Sequence, residues 1–165
     1  GKPVDQLTID DIKSKALKIE GVLNVHDIVV HSYGVRRFIS LHIEIPEGGS
    51  PEFMHEMADQ VEKLLAIEMD ADVVTHVDPI TVAGEECDSI QEIILNNLQR
   101  LNMADNIQDF RVVKNKVVES ILFQVPVSVE FQKKEIFKTD CCRELQKLYP
   151  DCKVMIEFKT QMSMG

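Results

Sequence analysis

Residues 37–45 read Arg-Phe-Ile-Ser-Leu-His-Ile-Glu-Ile, and this alternation predicts a β-strand with two different faces. One face carries four aliphatic side chains, those of Ile39, Leu41, Ile43 and Ile45. The other face carries Phe38, Ser40, His42 and Glu44. We therefore expect the aliphatic face to pack against helices and the face with His42 to remain open.

The segments around this strand predict an αββαβ unit. Residues 9–19 carry apolar side chains at helical spacing, and the β-branched run 22–31 predicts a first strand. Ser50 is a predicted N-cap of a second helix, and residues 72–78 predict a third strand that ends at Pro79. Two helices then cover one face of a three-stranded sheet and leave the other face open.

The same order of elements recurs in the second half of the chain. Helical patterns cover residues 88–101 and 133–148, and strand patterns cover residues 107–114, 116–125 and 152–158. We therefore predict a tandem α+β fold with one αββαβ unit in residues 1–82 and another in residues 83–165. The alternative is one continuous α+β domain.

Composition and charge narrow the class of protein. The 165 residues are 44% hydrophobic and 28% charged, which is typical of globular proteins. The net charge is −10, and residues 1–83 carry 7 Lys+Arg against 15 Asp+Glu, a net −8. An acidic chain without a basic stripe argues against nucleic acid as a partner. No apolar run approaches the roughly 20 residues of a membrane helix.

The cysteines do not indicate a metal or redox centre. Cys87, Cys141, Cys142 and Cys152 lack C-x-x-C spacing, and we interpret them as free thiols of a cytosolic protein. Catalytic motifs are also missing, because the sequence has no H-E-x-x-H, no glycine-rich phosphate loop and no recognisable nucleophile elbow. We therefore predict that the chain is not an enzyme.

Histidines are concentrated in the first unit and suggest a metal site. Strand alternation places His42, His76 and Asp78 on the open face, whereas the direction of His26 stays undecided. His55 lies on the polar side of its helix, where a plain surface role is the simpler interpretation. Imidazole and carboxylate together suit Zn²⁺ and neighbouring divalent ions.

Five motifs, in this order, resemble a known family. They are Val25-His26-Asp27-Ile28, the turn with Gly34 before Arg37-Phe38-Ile39, Leu41-His42-Ile43-Glu44, His55 followed by Ala58-Asp59-Gln60-Val61-Glu62, and His76-Val77-Asp78-Pro79. Over about residues 8–80 the chain resembles the C-terminal cytoplasmic domain of cation diffusion facilitators, which are membrane transporters that export divalent cations.

This resemblance implies a fold, a site and a function. The fold is a ferredoxin-like, metallochaperone-like αββαβ domain that forms a homodimer. The implied metal ligands are His26, His42, His55, His76 and Asp78. The implied role is metal sensing and regulation at the cytoplasmic face of the cell membrane, with Zn²⁺ or Mn²⁺, Co²⁺, Ni²⁺ or Fe²⁺ bound between protomers. The partner transmembrane domain is not in this sequence.

The second unit is expected to keep the fold and lack the ligands. Gln108-Asp109 stands where His26-Asp27 stands in the first unit, and the counterparts of His76 and Asp78 fall near Ile156 and Phe158. This unit could also serve as an internal partner of the first, which would make the protein monomeric.

Two other functions remain open from the sequence. One is an ACT-like or ferredoxin-like sensor of a small molecule, and the other is a free-standing metal chaperone. For a metal site we expect binding to weaken below about pH 6.5, where an ordinary imidazole becomes protonated.

Overall fold

The computed structural model describes residues 6–127 and 131–160. The chain forms two compact units, Gly1–Ile80 (unit 1) and Thr81–Gly165 (unit 2). Within the described residues, each unit contains two helices and three strands in αββαβ order. The predicted α+β class with ferredoxin-like αββαβ units is confirmed.

Unit 1 contains the segments that carry the candidate ligands. Its elements are α1 (Gln6–Leu17), β1 (Asn24–Tyr33), β2 (Arg36–Pro46), α2 (Pro51–Met69) and β3 (Asp72–Thr81). Strands β1 and β2 are antiparallel, and β2 pairs with β3 in parallel. The central strand β2 therefore lies between the two strands that carry His26 and His76.

One face of this sheet forms the core of unit 1. The strand residues in the core are Val25, Ile39, Leu41, Ile43 and Ile45, and the helix residues are Ile12, Ala16, Met57, Val61 and Leu65. Burying an aliphatic side chain of this size contributes about 1.5–3 kcal/mol. This packing fixes which face of β2 is covered, and His42 lies on the other face, as its alternation predicts.

Helix α2 begins where the sequence predicts. The Ser50 hydroxyl oxygen accepts a hydrogen bond from the Phe53 amide at 3.1 Å, and Pro51 occupies the first helical position. The helix ends at Met69, and the C-cap residue Asp70 adopts the left-handed conformation with φ of 48°.

A β-bulge in β1 decides the direction of His26. His26 lies opposite His42, but Val29 lies opposite Ser40, so three steps along β1 match two along β2. Asp27 sits in the bulge with φ of 51°, in the left-handed region that Asp tolerates better than most residues. Without the extra residue, His26 would share a face with Val30, which packs against the core. The bulge turns His26 to the open face instead.

Strand β3 continues beyond the predicted end at Pro79. Pro79 pairs with Ile45, and Ile80 pairs with Pro46. The Glu47 amide donates a hydrogen bond to the Ile80 carbonyl oxygen at 3.1 Å, so the pairing of β2 with β3 continues past Pro79. A proline costs a strand only its own N–H, and the prediction treated it as a stronger break than it is.

Unit 2 repeats this arrangement with its own core. Its elements are α3 (Glu85–Arg100), β4 (Gln108–Asn115), β5 (Val117–Val127), α4 (Phe131–Leu148) and β6 (Lys153–Thr160). Strand β5 pairs with β4 in antiparallel and with β6 in parallel. A bulge follows Gln108, and Asp109 there has φ of 51°, the same value as Asp27. The β-bulge that directs His26 therefore has a counterpart in unit 2.

Candidate metal centre

Three imidazole rings lie side by side across the open face of unit 1. His26, His42 and His76 occupy one register position on the three adjacent strands. The ring centroids of His26 and His42 are 5.2 Å apart, and those of His42 and His76 are 4.8 Å apart, each pair tilted by 24°. We call these three residues the imidazole row.

Two carboxylates lie two residues further along the strands, beside the imidazole row. Glu44 pairs with Asp78 in the register of β2 with β3, and both residues are buried. Asp78 Oδ2 is 3.1 Å from His26 Nε2 and 3.1 Å from His42 Nδ1. One carboxylate oxygen thus contacts both imidazoles, and this contact defines the centre of the site.

His26 has a carboxylate on each side. Its Nδ1 lies 2.8 Å from Glu44 Oε2, while its Nε2 faces Asp78. Burial opposes protonation of His26, but the hydrogen bonds and charges of Asp78 and Glu44 outweigh it and raise the pKa to about 9. In the metal-free protein at neutral pH, both ring nitrogens therefore donate hydrogen bonds to the carboxylates.

The pKa of Asp78 moves in the opposite direction. Burial acts to raise the pKa of Asp78, but its hydrogen bonds and electrostatic interactions with His26 and His42 outweigh burial and lower the pKa below its ordinary value. Asp78 is therefore ionised across the neutral range and available as an oxygen ligand.

The ligand atoms of His26, His42 and Asp78 all lie within 4.8 Å of one another. A tetrahedral ion with bonds of about 2.0–2.1 Å separates its ligand atoms by about 3.3 Å, so shifts of about 1 Å in these side chains would let them share one ion. Two imidazole nitrogens and a carboxylate oxygen suit Zn²⁺ and its divalent neighbours. The residues present fit such an ion.

The other two predicted ligands lie outside this group of three. His76 is exposed at the end of the imidazole row, in ring contact with His42. His55 is exposed in the first turns of α2 and is not among the grouped ligand atoms of the described residues. The structure therefore assembles three of the five predicted ligands directly, extends the row to His76 and leaves His55 apart.

Glu44 is the residue of this site that the sequence prediction omitted. Its alternation already places it on the open face with His42. A charged residue at that position is ordinarily assigned to solvent, yet the Glu44 side chain is 0% exposed. The signal that could have found it is its register position, two residues from His42 and directly opposite Asp78.

Unit 2 carries different chemistry at the equivalent positions. Gln108 pairs with Gln124 and Gln124 with Glu157, and a 3.2 Å hydrogen bond joins the Gln124 amide to the Glu157 carboxylate. Lys159 takes the position of Asp78, opposite Pro126. These four positions therefore carry two amides, a carboxylate and an ammonium group. None of these groups offers the imidazole nitrogens that these metals prefer.

The predicted counterparts Ile156 and Phe158 were wrong by one residue. Both pack against the core of unit 2. Because side chains alternate along a strand, Glu157 and Lys159 are the residues that face the opposite side.

A family model for the cation efflux protein cytoplasmic domain matches residues 4–80, nearly all of unit 1. Unit 1 belongs to this family. The match covers the imidazole row and both buried carboxylates, and it ends at Ile80, the last residue of unit 1.

The relatives and solved structures that resemble the chain each cover about half of it or less. The cation-efflux pump FieF of Yersinia enterocolitica is 33% identical over 88 residues, which are 50% of this chain and 29% of the relative. An uncharacterized transporter of Methanocaldococcus jannaschii is 35% identical over 68 residues, 41% of this chain and 24% of the relative. A metal-bound C-terminal domain of the CzcD transporter from Thermotoga maritima is 27% identical, with 46% of this chain and 94% of that chain covered at a TM-score of 0.41.

The chain therefore spans less than a third of the length of these two curated relatives. Within residues 6–127 and 131–160, no helix is both long and apolar enough to cross a membrane.

Proposed function

We propose that unit 1 is the metal-sensing, regulatory and dimerisation domain of a divalent-cation efflux transporter of the zinc type. It acts at the cytoplasmic face of the cell membrane, where its metal occupancy regulates a transmembrane domain of the same transporter. Residues 1–82 form the metal-binding domain, and residues 83–165 form a second unit without the ligands. The role proposed is binding and regulation, not catalysis.

The observation that carries this proposal is the convergence of His26, His42 and Asp78 on one open sheet face. In the metal-free protein, Asp78 Oδ2 holds the protonated imidazole of His26 and contacts His42. A divalent ion would bind the carboxylate oxygen and the imidazole nitrogens that face it, and the proton on Nε2 of His26 would be released to solvent. His76, beside His42, is the next ligand available for a second ion.

A second copy of unit 1 accounts for His55. Its side chain is exposed on α2, outside the cluster on the open face, so a partner protomer is the simpler source of this ligand. The first 83 residues carry a net −8, so two such units repel each other. Divalent ions between them would lower that repulsion and favour the closed dimer. Closure is the event that would be transmitted to the membrane domain.

Equilibrium dialysis with Zn²⁺ tests the site. We expect the wild-type chain to retain zinc and the His42→Ala and Asp78→Ala variants to lose most of it. His31→Ala is the matched control, because His31 is exposed and contacts Tyr33 instead of the imidazole row. Unchanged stoichiometry in both site variants would reject the proposed metal centre.

Light scattering tests the assembly. We expect zinc to shift the chain from monomer to dimer, and His55→Ala to weaken this shift more than it weakens retention of the first ion. A zinc-bound chain that stays monomeric would remove the partner protomer from the proposal and leave the binding site in place.

A further inference from the structure

Glu44 is a fully buried carboxylate in contact with a candidate ligand. We infer that Glu44 is a positioning residue of the metal centre, which keeps a proton on Nδ1 of His26 and thereby presents Nε2 to the metal ion. This inference rests on the metal-binding function proposed above and assigns the orientation of one of its ligands.

The contacts of His26 separate its two nitrogens. Nδ1 lies 2.8 Å from Glu44 Oε2, and Nε2 lies 3.1 Å from Asp78 Oδ2, the oxygen that also contacts His42. Nε2 therefore faces the atoms that would share an ion, whereas Nδ1 faces away from them toward Glu44. The ring needs no rotation to place its lone pair in the site.

A ligating imidazole has one nitrogen for the metal and one N–H to donate. A carboxylate accepts that N–H and so fixes which nitrogen is free, and it also raises the basicity of the ligand. Glu44 is suited to this role because its side chain is 0% exposed, so water does not compete for the bond. Solvent-exposed carboxylates hold such bonds less firmly.

Glu44 contacts a candidate ligand, His26, but is not itself one of the grouped ligands. The ligand atoms grouped within 4.8 Å in the described residues belong to His26, His42 and Asp78, and Glu44 is outside this group. Unit 2, which has Gln108 in place of His26, has Pro126 in place of Glu44. The carboxylate is thus absent where the imidazole that it would orient is absent.

Two substitutions separate positioning from general stability. Glu44→Gln retains an oxygen acceptor for Nδ1–H without the charge, and Glu44→Met fills the space without an acceptor. Glu62→Gln is the matched control, because the Glu62 carboxylate accepts its 2.9 Å hydrogen bond from a backbone amide, that of Thr75. Zn²⁺ affinity is measured by chelator competition, and the His26 nitrogens are followed by NMR of ¹⁵N-histidine-labelled chain.

In the wild type we expect zinc to bind Nε2 of His26 and leave Nδ1 protonated. Glu44→Met should lose about 10- to 100-fold in zinc affinity and mix the two nitrogens, while Glu44→Gln should lose less and keep the wild-type nitrogen. Glu62→Gln should match the wild type. If Glu44→Met does not fold, the Glu44→Gln spectrum and the wild-type spectrum still decide the question.

Zinc on Nδ1 of His26 in the wild type would overturn the inference, as would a Glu44→Met variant with wild-type affinity and an unmixed Nε2 signal. Both results leave the proposed function intact. A wild-type chain that binds no zinc through His42 and Asp78 would instead overturn the proposed function and this inference together.

Discussion

Metal affinity should depend on pH well above the range of an ordinary histidine. The reason is His26, whose contacts with Asp78 and Glu44 raise its pKa to about 9. Zinc must displace the proton on this residue, so the free energy of binding includes the cost of removing it. At pH 7.5 that cost is about 2 kcal/mol, because 1.36 kcal/mol corresponds to one pKa unit. Proton competition at His26 is therefore expected to extend well above pH 6.5, the value near which an ordinary imidazole becomes protonated.

The size of the effect separates a raised pKa from an ordinary one. With a pKa of about 9, the neutral fraction of His26 rises about 75-fold between pH 6.5 and pH 8.5, whereas an unperturbed imidazole would give only about twofold. Zinc affinity should rise by a similar factor over these two pH units. At pH 7.5, binding should release about one proton from His26.

Chelator competition at a series of pH values gives the affinity, with the chelator's own protonation corrected. Titration calorimetry in buffers of different ionisation enthalpy gives the number of protons released. Glu44→Gln should flatten the pH dependence, because it removes one of the two charges that hold the His26 proton. An affinity that changes less than fivefold between pH 6.5 and 8.5 would refute the reasoning.

Three further predictions concern stability. The free energy of unfolding of the metal-free protein should fall by up to about 3 kcal/mol as pH rises from 6.5 through 9. The reason is that the raised His26 pKa stabilises the fold at low pH, and this contribution disappears when His26 loses its proton. Urea unfolding with chelator present measures this change, and a flat pH profile would contradict it. Leu65→Ala, in the core of unit 1, should cost about 2–5 kcal/mol in the same assay. Asp27→Val should destabilise unit 1 by about 1–2 kcal/mol because Asp27 has φ of 51°, whereas Asp27→Gly should stay near wild type. Equal losses for the two variants in thermal unfolding would contradict the left-handed backbone at Asp27 as the cause.

Local patterning was enough to predict the fold of each unit. The alternation along β2 is strict, and every aliphatic residue of residues 39–45 is fully buried on the predicted face. Ser50 and Pro51 set the start of α2 through local hydrogen bonding and a fixed backbone angle. These signals depend on neighbours in sequence, so one chain is sufficient to read them.

The features that the sequence left undecided depend on pairing between strands. The direction of His26 follows from a bulge at Asp27, and no alternation rule can locate an extra residue in advance. The counterparts of His76 and Asp78 in unit 2 depend on the register of β5 with β6, although the apolar set of β6 could have excluded Ile156 and Phe158. Burial of Glu44 also depends on three strands meeting at once.

Zinc-edge anomalous diffraction from crystals of the chain grown with Zn²⁺ tests the metal centre most directly. We predict a strong anomalous peak on the open face of unit 1, within bonding distance of His26 Nε2, His42 and Asp78, and none at Gln108 and Gln124 of unit 2. A zinc-saturated crystal without a peak at the imidazole row would contradict the central claim.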